Sequence, residues 1–351
     1  MKAFIVALFL PAVLSLAAGA QTPHRAAAAS HAPLVLKAVI ALPGAQGRMD
    51  HMSVDLKGKR VFLSEIGNGG VAVVNYARGK AVHLLTGFGE PQGTYFEDSS
   101  NRLFVASGDD GAVRIFNGTT FKLEATAKFT IDADDLRFDP GTHHVLVGYS
   151  GQKFVGGKPV AGPGGEGDGA IGWVDAAGGH GTLVPVAAHP EAFEIANQGT
   201  RVYINVPDHH EIEVGDLATH QVVAHWPVSC TDNFPMALDQ AHHRLFIGCR
   251  LPAKMLVFDT DTGATVASLP IPATADDMFF DPARRRIYVL GGQGYVAVIA
   301  EQDPNHYRRL AWIRARVGSR TGLFVPQLNE LFVAISQSPH QHPELLVYHI
   351  Q

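Results

Sequence analysis

The chain has 351 residues, 46% of them hydrophobic and 17% charged, with 37 Gly, 21 Pro, two Cys and a formal net charge of −5. A chain this apolar is not intrinsically disordered, two Cys cannot staple a disulfide-dense mini-scaffold, and the length exceeds the roughly 250–300 residues at which simple cores divide. Mild acidity argues against nucleic acid or an anionic membrane as the main partner, so the chain reads as two or three domains or as one modular array.

At the N-terminus Lys2 precedes an apolar stretch over 4–16, and Ala18, Gly19 and Ala20 close it with small residues. This pattern predicts a cleavable export signal over 1–20 rather than a buried first helix, because Pro11 and the small-residue end suit processing and the stretch is short for a bilayer. Loss of Lys2 with that signal would take the formal charge from −5 to −6. No Cys follows the apolar stretch to carry a lipid anchor, and no later segment reads as a membrane span. Residues 21–33, Ala-rich with Pro23 and Pro33, read as a linker, and 34–42 as a lone β segment rich in Val, Leu and Ile.

From there one phrase recurs: a short apolar strand that usually ends in an acidic turn, then a second strand opening on a charged residue and continuing with aromatic or β-branched residues. It occurs at 51–55 (HMSVD) with 60–63 (RVFL), 94–97 (TYFE) with 102–105 (RLFV), and 136–139 (LRFD) with 144–147 (HVLV). It returns at 193–196 (FEIA) with 201–204 (RVYI), 236–239 (MALD) with 244–247 (RLFI), 278–281 (MFFD) with 286–289 (RIYV), and 322–325 (GLFV) with 330–333 (ELFV). The ends of the first strands are 42, 42, 57, 43, 42 and 44 residues apart. A period of about 40–45 belongs to the four-stranded blades of a β-propeller. In the first blade, alternation and turn residues place strands near 51–55, 60–65, 71–76 and 81–87, with Gly58, Gly69, Gly70 and Gly79 in the turns.

The seventh copy supplies only three strands before the chain ends, so 34–42 is expected to fill the fourth place and close the ring as a 3+1 velcro. The expected architecture is an all-β, seven-bladed propeller over 34–351. Its one long interval holds a Gly-rich segment at 151–169 between the second and third strands of blade three. It reads as a loop, either a neutral surface insertion or a flap over the channel.

The recurring phrase, as in 281–289 (DPARRRIYV), resembles the YVTN-type repeats of bacterial seven-bladed β-propellers, with 104–107 (FVAS) and 332–335 (FVAI) close to the motif. The resemblance covers nearly the whole chain after the signal. It implies the propeller fold and export to the periplasm or beyond, and it implies no particular activity. The Trp-Asp dipeptide of the other large propeller class does not occur.

In a propeller the first strand of each blade is innermost, so residues entering it surround the channel mouth. The repeat alignment places there Asp50 and His51, Gln92 and Gly93, Asp134 and Asp135, Glu191 and Ala192, Phe234 and Pro235, Asp276 and Asp277, and Arg320 and Thr321, with His189 and Asn233 just upstream. Loops carrying Asp109, Asp110, Asp208, His209, His210, His340 and His342 are expected on the same face. Polar residues at a channel entry can be merely solvated or cap loop ends. The mostly anionic set and the proximity of Arg320 to Asp50 in the ring point instead to a binding site.

The ligand-binding set is therefore Asp50, Gln92, Asp134, Asp135, Glu191, Asn233, Asp276 and Asp277, with His51 and His189 as candidate bases and Arg320 as an anion clamp or a partner of Asp50. Clustered carboxylates would raise one another's pKa values or recruit a divalent cation: calcium or magnesium if oxygen alone ligates, zinc, manganese or iron if His51 or His189 joins. No other cofactor is predicted. His340 and His342 could hold copper or nickel, or belong to a solvated loop. No nucleophile elbow, phosphate loop, EF-hand or paired Cys-x-x-Cys motif occurs.

Cys230 and Cys249 lie on one hairpin of blade five, where antiparallel pairing predicts a disulfide in an exported protein; reduced thiols are the alternative. The leading expectation is an exported monomer that binds a small molecule, glycan or partner protein at its mouth. The alternative is a lyase or hydrolase acting on a polar or acidic saccharide through His51 or His189 as base, Asp134, Glu191 or Asp276 as acid, and Arg320 as anion neutraliser.

Overall fold

The computed structural model describes residues 1, 32–152, 154–155, 158–160, 166–196 and 200–351. The expected export signal over 1–20, the linker up to residue 31 and the centre of the Gly-rich segment lie outside the described residues.

Seven four-stranded antiparallel sheets form the molecule over Ala32–Gln351. Their first strands are Met49–Asp55, Pro91–Glu97, Leu136–Asp139, Phe193–Ile195, Thr231–Asp239, Ala275–Asp281 and Gly322–Val325. Each touches the first strand of the next blade, and the seventh touches the first, so the sheets close into a ring. The last sheet is completed from the other end of the chain: Leu34–Ala41 pairs antiparallel with Glu344–Ile350. This pairing covers the edge that a three-stranded blade would leave open.

The repeat phrase is explained by what its residues bury. The second strands, among them Arg60–Glu65, Arg102–Ser107, Arg244–Leu251, Arg286–Gly291 and Glu330–Ile335, carry aromatics that are buried completely or nearly so: Phe62, Phe104, Phe246, Tyr288 and Phe332. Several meet an aromatic from the first strand of the following blade, as Phe62 does Phe96 with ring centroids 5.4 Å apart and Tyr288 does Phe324 at 5.5 Å. Each such ring contributes roughly 2–3 kcal/mol by leaving water, which makes the blade-to-blade seam the main apolar core.

The acidic residue ending a first strand shapes the hairpin that follows. Asp55 accepts from Gly58 N at 2.6 Å and pairs with Arg60, Asp139 accepts from Gly141 N at 2.9 Å, and Asp281 accepts from Ala283 N at 3.0 Å and Arg284 N at 3.2 Å. Short carboxylate side chains thus satisfy the free amides of the turn.

Blade three departs from expectation. Instead of ending at residue 150, its second strand runs His144–Gln152 and pairs with Glu166–Val174, with Gly151 opposite Gly167. A Cβ at Gly151 would sit 2.1 Å from Asp168 O, so glycine is what lets the ladder continue there. A two-stranded hairpin, Phe154–Val155 with Lys158–Pro159, extends beyond it. In blade five Cys230 and Cys249 are joined in a disulfide, with Cα atoms 6.1 Å apart.

Candidate functional site

Six of the seven residue pairs that the repeat alignment put at the channel mouth share a backbone irregularity. In blade one, Met49 pairs with Glu65 and Met52 with Leu63, so Asp50 and His51 together face one residue, a β-bulge. The same two-against-one arrangement holds for Gln92 and Gly93 in blade two and for Phe234 and Pro235 in blade five. In blade three both members of the pair bond Gly148: Asp134 N donates to Gly148 O at 2.9 Å, and Gly148 N donates to Asp135 O at 3.1 Å. Glu191 and Ala192 treat Asn205 the same way, and Asp276 is the inserted residue of blade six. Gly93 has a further role, since a Cβ there would lie 2.2 Å from Asp134 O; only glycine lets blade three's bulge approach this closely.

A bulge turns two successive side chains toward the same side, and here it sorts them into two tiers. Asp50, Gln92, Asp134, Glu191, Phe234 and Asp276, the first members of their pairs, line a mouth cavity of about 520 Å³. The second members Asp135, Ala192 and Asp277 line an inner cavity of about 340 Å³, where Met52, Tyr95, Leu136, Met236, Met278 and Phe324 make the wall more apolar. His51 and Asp276 border both.

His51 sits at the division. Its Nδ1 lies 3.1 Å from Asp277 Oδ1, while Nε2 is 3.9 Å from Asp50, 3.8 Å from Asp134 and 3.7 Å from Asp135. Asp277 is held in turn by Gly322 N at 2.7 Å. Burial alone would lower the His51 pKa, but the carboxylates of Asp135, Asp277 and Asp50 outweigh it and hold the imidazole well above its ordinary value. Both ring nitrogens thus face carboxylates, an environment that favours the protonated, hydrogen-bond-donating imidazole.

The carboxylates around it diverge. Burial pushes Asp50 up to about 6 even though His51 and Arg48 draw it back, and raises Asp134 well above the usual range, with Asp50 and Glu191 adding repulsion. Glu191 is pushed up to about 8 by burial and by Asp276. In the inner tier burial likewise raises Glu194 to about 7, while Asp135 stays low because Arg137, 2.9 Å away, and His51 overcome its burial.

A hydrogen-bonded chain runs along the rim above these groups. Arg48 reaches Asp50 at 3.1 Å and Gln92 at 3.3 Å, Gln92 donates to Asp132 at 2.8 Å, and Asp132 lies 3.2 Å from His189 Nδ1. Across the mouth Asp276 is clamped by Arg250 and by Arg320, whose Nε is 2.9 Å from Asp276 Oδ2, and the Arg250 guanidinium lies over the Phe234 ring.

Most of the expected set therefore converges: Asp50, His51, Gln92, Asp134, Asp135, His189, Glu191, Asp276 and Asp277 all line the channel. Two do not. Arg320 pairs with Asp276 rather than with Asp50 and borders neither cavity. Asn233 is fully buried, its amide donating to Asn205 Oδ1 and Glu211 O at 3.0 Å, so it ties blade four to blade five. Of the loop residues, Asp109 reaches the mouth cavity, whereas His209, His210, His340 and His342 do not. His342 lies instead beside 41–46, where the chain leaves its closing strand.

Arg48, Glu90, Asp132 and Arg250 escaped the sequence reading. The first three carry a usable signal: each lies two residues before the first member of a pair, as His189 does, and alternation puts that position on the same side. Arg250, on the second strand of blade five, has no counterpart in the repeat.

A search of family models and of curated proteins found no match to this chain.

Proposed function

We propose that the protein is a ligand-binding platform whose channel mouth takes a cationic group, carried by a small polar molecule or by a partner protein. One observation carries this reading: seven of the fourteen residues lining the mouth cavity are carboxylates, against a single arginine. Several are buried deeply enough that a ligand cation would relieve their mutual repulsion. Acidic saccharides suit such a mouth poorly, because the arginines that would clamp an anion already serve carboxylates: Arg48 serves Asp50, and Arg250 and Arg320 serve Asp276. A protonated His51, surrounded by four carboxylates, suits a donor within a binding site better than a general base. Export is supported by the N-terminal signal pattern and by the Cys230–Cys249 disulfide, since such bonds persist in oxidising compartments. The repeat phrase supports placing the chain among YVTN-type propellers.

Calorimetry and thermal-shift measurements at fixed ionic strength test the ligand class, with spermidine, glucosamine and divalent metal chlorides set against galacturonate. Cations should bind and raise Tm, and the double variant Asp50→Asn/Glu191→Gln should weaken them about tenfold or more. Silence from every cation, or binding of galacturonate in their place, overturns the reading.

A further inference from the structure

Within the anionic rim one cluster offers a different chemistry. Asp134, His189 and Glu191 each present a ligand atom, and these atoms lie within 4.8 Å of one another. They meet at the junction of blades three and four: Asp134 in one bulge, Glu191 in the next, and His189 two residues ahead of Glu191.

The His189 ring is already oriented. Its Nδ1 lies 2.6 Å from Ser150 Oγ and 3.2 Å from Asp132 Oδ2. With Nδ1 donating to Asp132 or to Ser150 Oγ, Nε2, 3.8 Å from Glu191 Oε1, is left to present its lone pair. A carboxylate holding the far nitrogen is the arrangement that fixes metal-bound imidazoles. Asp134 supplies an independent sign. It is 7% exposed, and its Oδ1 is buried with no hydrogen-bond partner, the nearby His51 Nε2 standing off at 3.8 Å.

We propose that Asp134, His189 Nε2 and Glu191 bind a first-row divalent transition-metal ion of the zinc or manganese kind, with its remaining coordination positions open to a ligand in the mouth cavity. The imidazole selects such ions over calcium and magnesium, which prefer oxygen alone, and two carboxylates with a neutral imidazole balance a double positive charge. The site rests on the reading of the mouth as a cation site and names the cation. Two other clusters offer less. In Glu211, Glu213 and His225 the histidine is 56% exposed, and in Asp239, His242 and Glu301 the carboxylates already serve a turn amide and Arg285.

The test is metal analysis of the natively purified full chain, followed by calorimetric titration of the chelator-treated protein with ZnCl₂ and MnCl₂. One equivalent should bind, with calcium and magnesium at least 100-fold weaker. His189→Ala or Glu191→Gln should lower affinity more than 100-fold, and Ser150→Ala/Asp132→Ala, which spares all three donors, by about 10–100-fold. Glu90→Gln, a carboxylate of the same cavity outside the cluster, should weaken zinc by no more than about threefold through the lost charge alone, and circular dichroism checks that each variant is folded. Equal losses from Glu90→Gln and Glu191→Gln, calcium binding as tightly as zinc, or no metal binding by the folded protein would each overturn the site. If spermidine or glucosamine still binds in that last case, the cation reading of the mouth stands and only the metal falls; if neither binds, both fall.

Discussion

Two sets of buried carboxylates occupy opposite ends of the same strands. Asp50 and Asp55 share the first strand of blade one, Asp276 and Asp281 share that of blade six, and Asp134 and Asp139 bracket that of blade three, each pair five residues apart. All six are at most 9% exposed. At the turn end Asp55, Asp139 and Asp281 are satisfied by turn amides and by neighbouring Arg, Thr or Tyr side chains. At the channel end Asp134 Oδ1 and Asp135 Oδ2 are buried without a hydrogen-bond partner, whereas no oxygen of the three turn residues is left so. Burial of a carboxylate is therefore no guide to its role here. What separates structure from binding is whether the fold itself supplies the partners.

The sharpest way to break this contrast is to remove one member of each set. Asp281→Ala strips acceptors from Ala283 N, Arg284 N, the Arg284 guanidinium and the Tyr288 hydroxyl, and should cost about 4 kcal/mol in chemical denaturation. Next in size is a pH effect from the inner tier. Folded Glu194 keeps its proton up to about 7, whereas the unfolded chain releases it near 4.5, so the folded state binds more protons in that window and loses stability as pH rises through it. Glu194→Gln should flatten the decline by about 3 kcal/mol between those limits, read from denaturation midpoints across pH. The smallest effect has the opposite sign to the first. Asp134→Asn removes a buried carboxyl whose Oδ1 lacks a hydrogen-bond partner and, in chelator at pH 7, should leave stability unchanged or raise it by about 1 kcal/mol. A loss as large as that of Asp281→Ala would erase the distinction between the two ends.

The repeat made the first set legible. An acidic residue, a short turn and a charged residue recur with the period of a blade, and buried aromatics at a fixed place in the second strand say how blades pack, so fold and hairpin chemistry follow from local sequence. Much of the second set was also visible, because aligned copies bring 50, 92, 134, 191 and 276 to one ring. The alignment went astray where a side chain chose its partner across blades. Asn233 sits at an entry position yet turns its amide to Asn205 and Glu211, and Arg320, neighbouring Asp50 in the ring, pairs with Asp276 on the other side. Arg250 lies beyond the repeated phrase on its strand and has no counterpart in the other copies.

The sequence by itself determined the number of blades, the closing strand, read as 34–42 and observed as Leu34–Ala41, the disulfide hairpin and the ring of positions around the channel, because each depends on local patterning. Only the tertiary structure decided that six of the seven entry pairs are bulged, that several of them send their two members to different tiers, and that His51 stands among four carboxylates while Asp134, His189 and Glu191 draw together. Those facts depend on distances between residues of different blades, set by ring closure and by backbone approaches such as that of Gly93 to Asp134. No one-dimensional pattern encodes them.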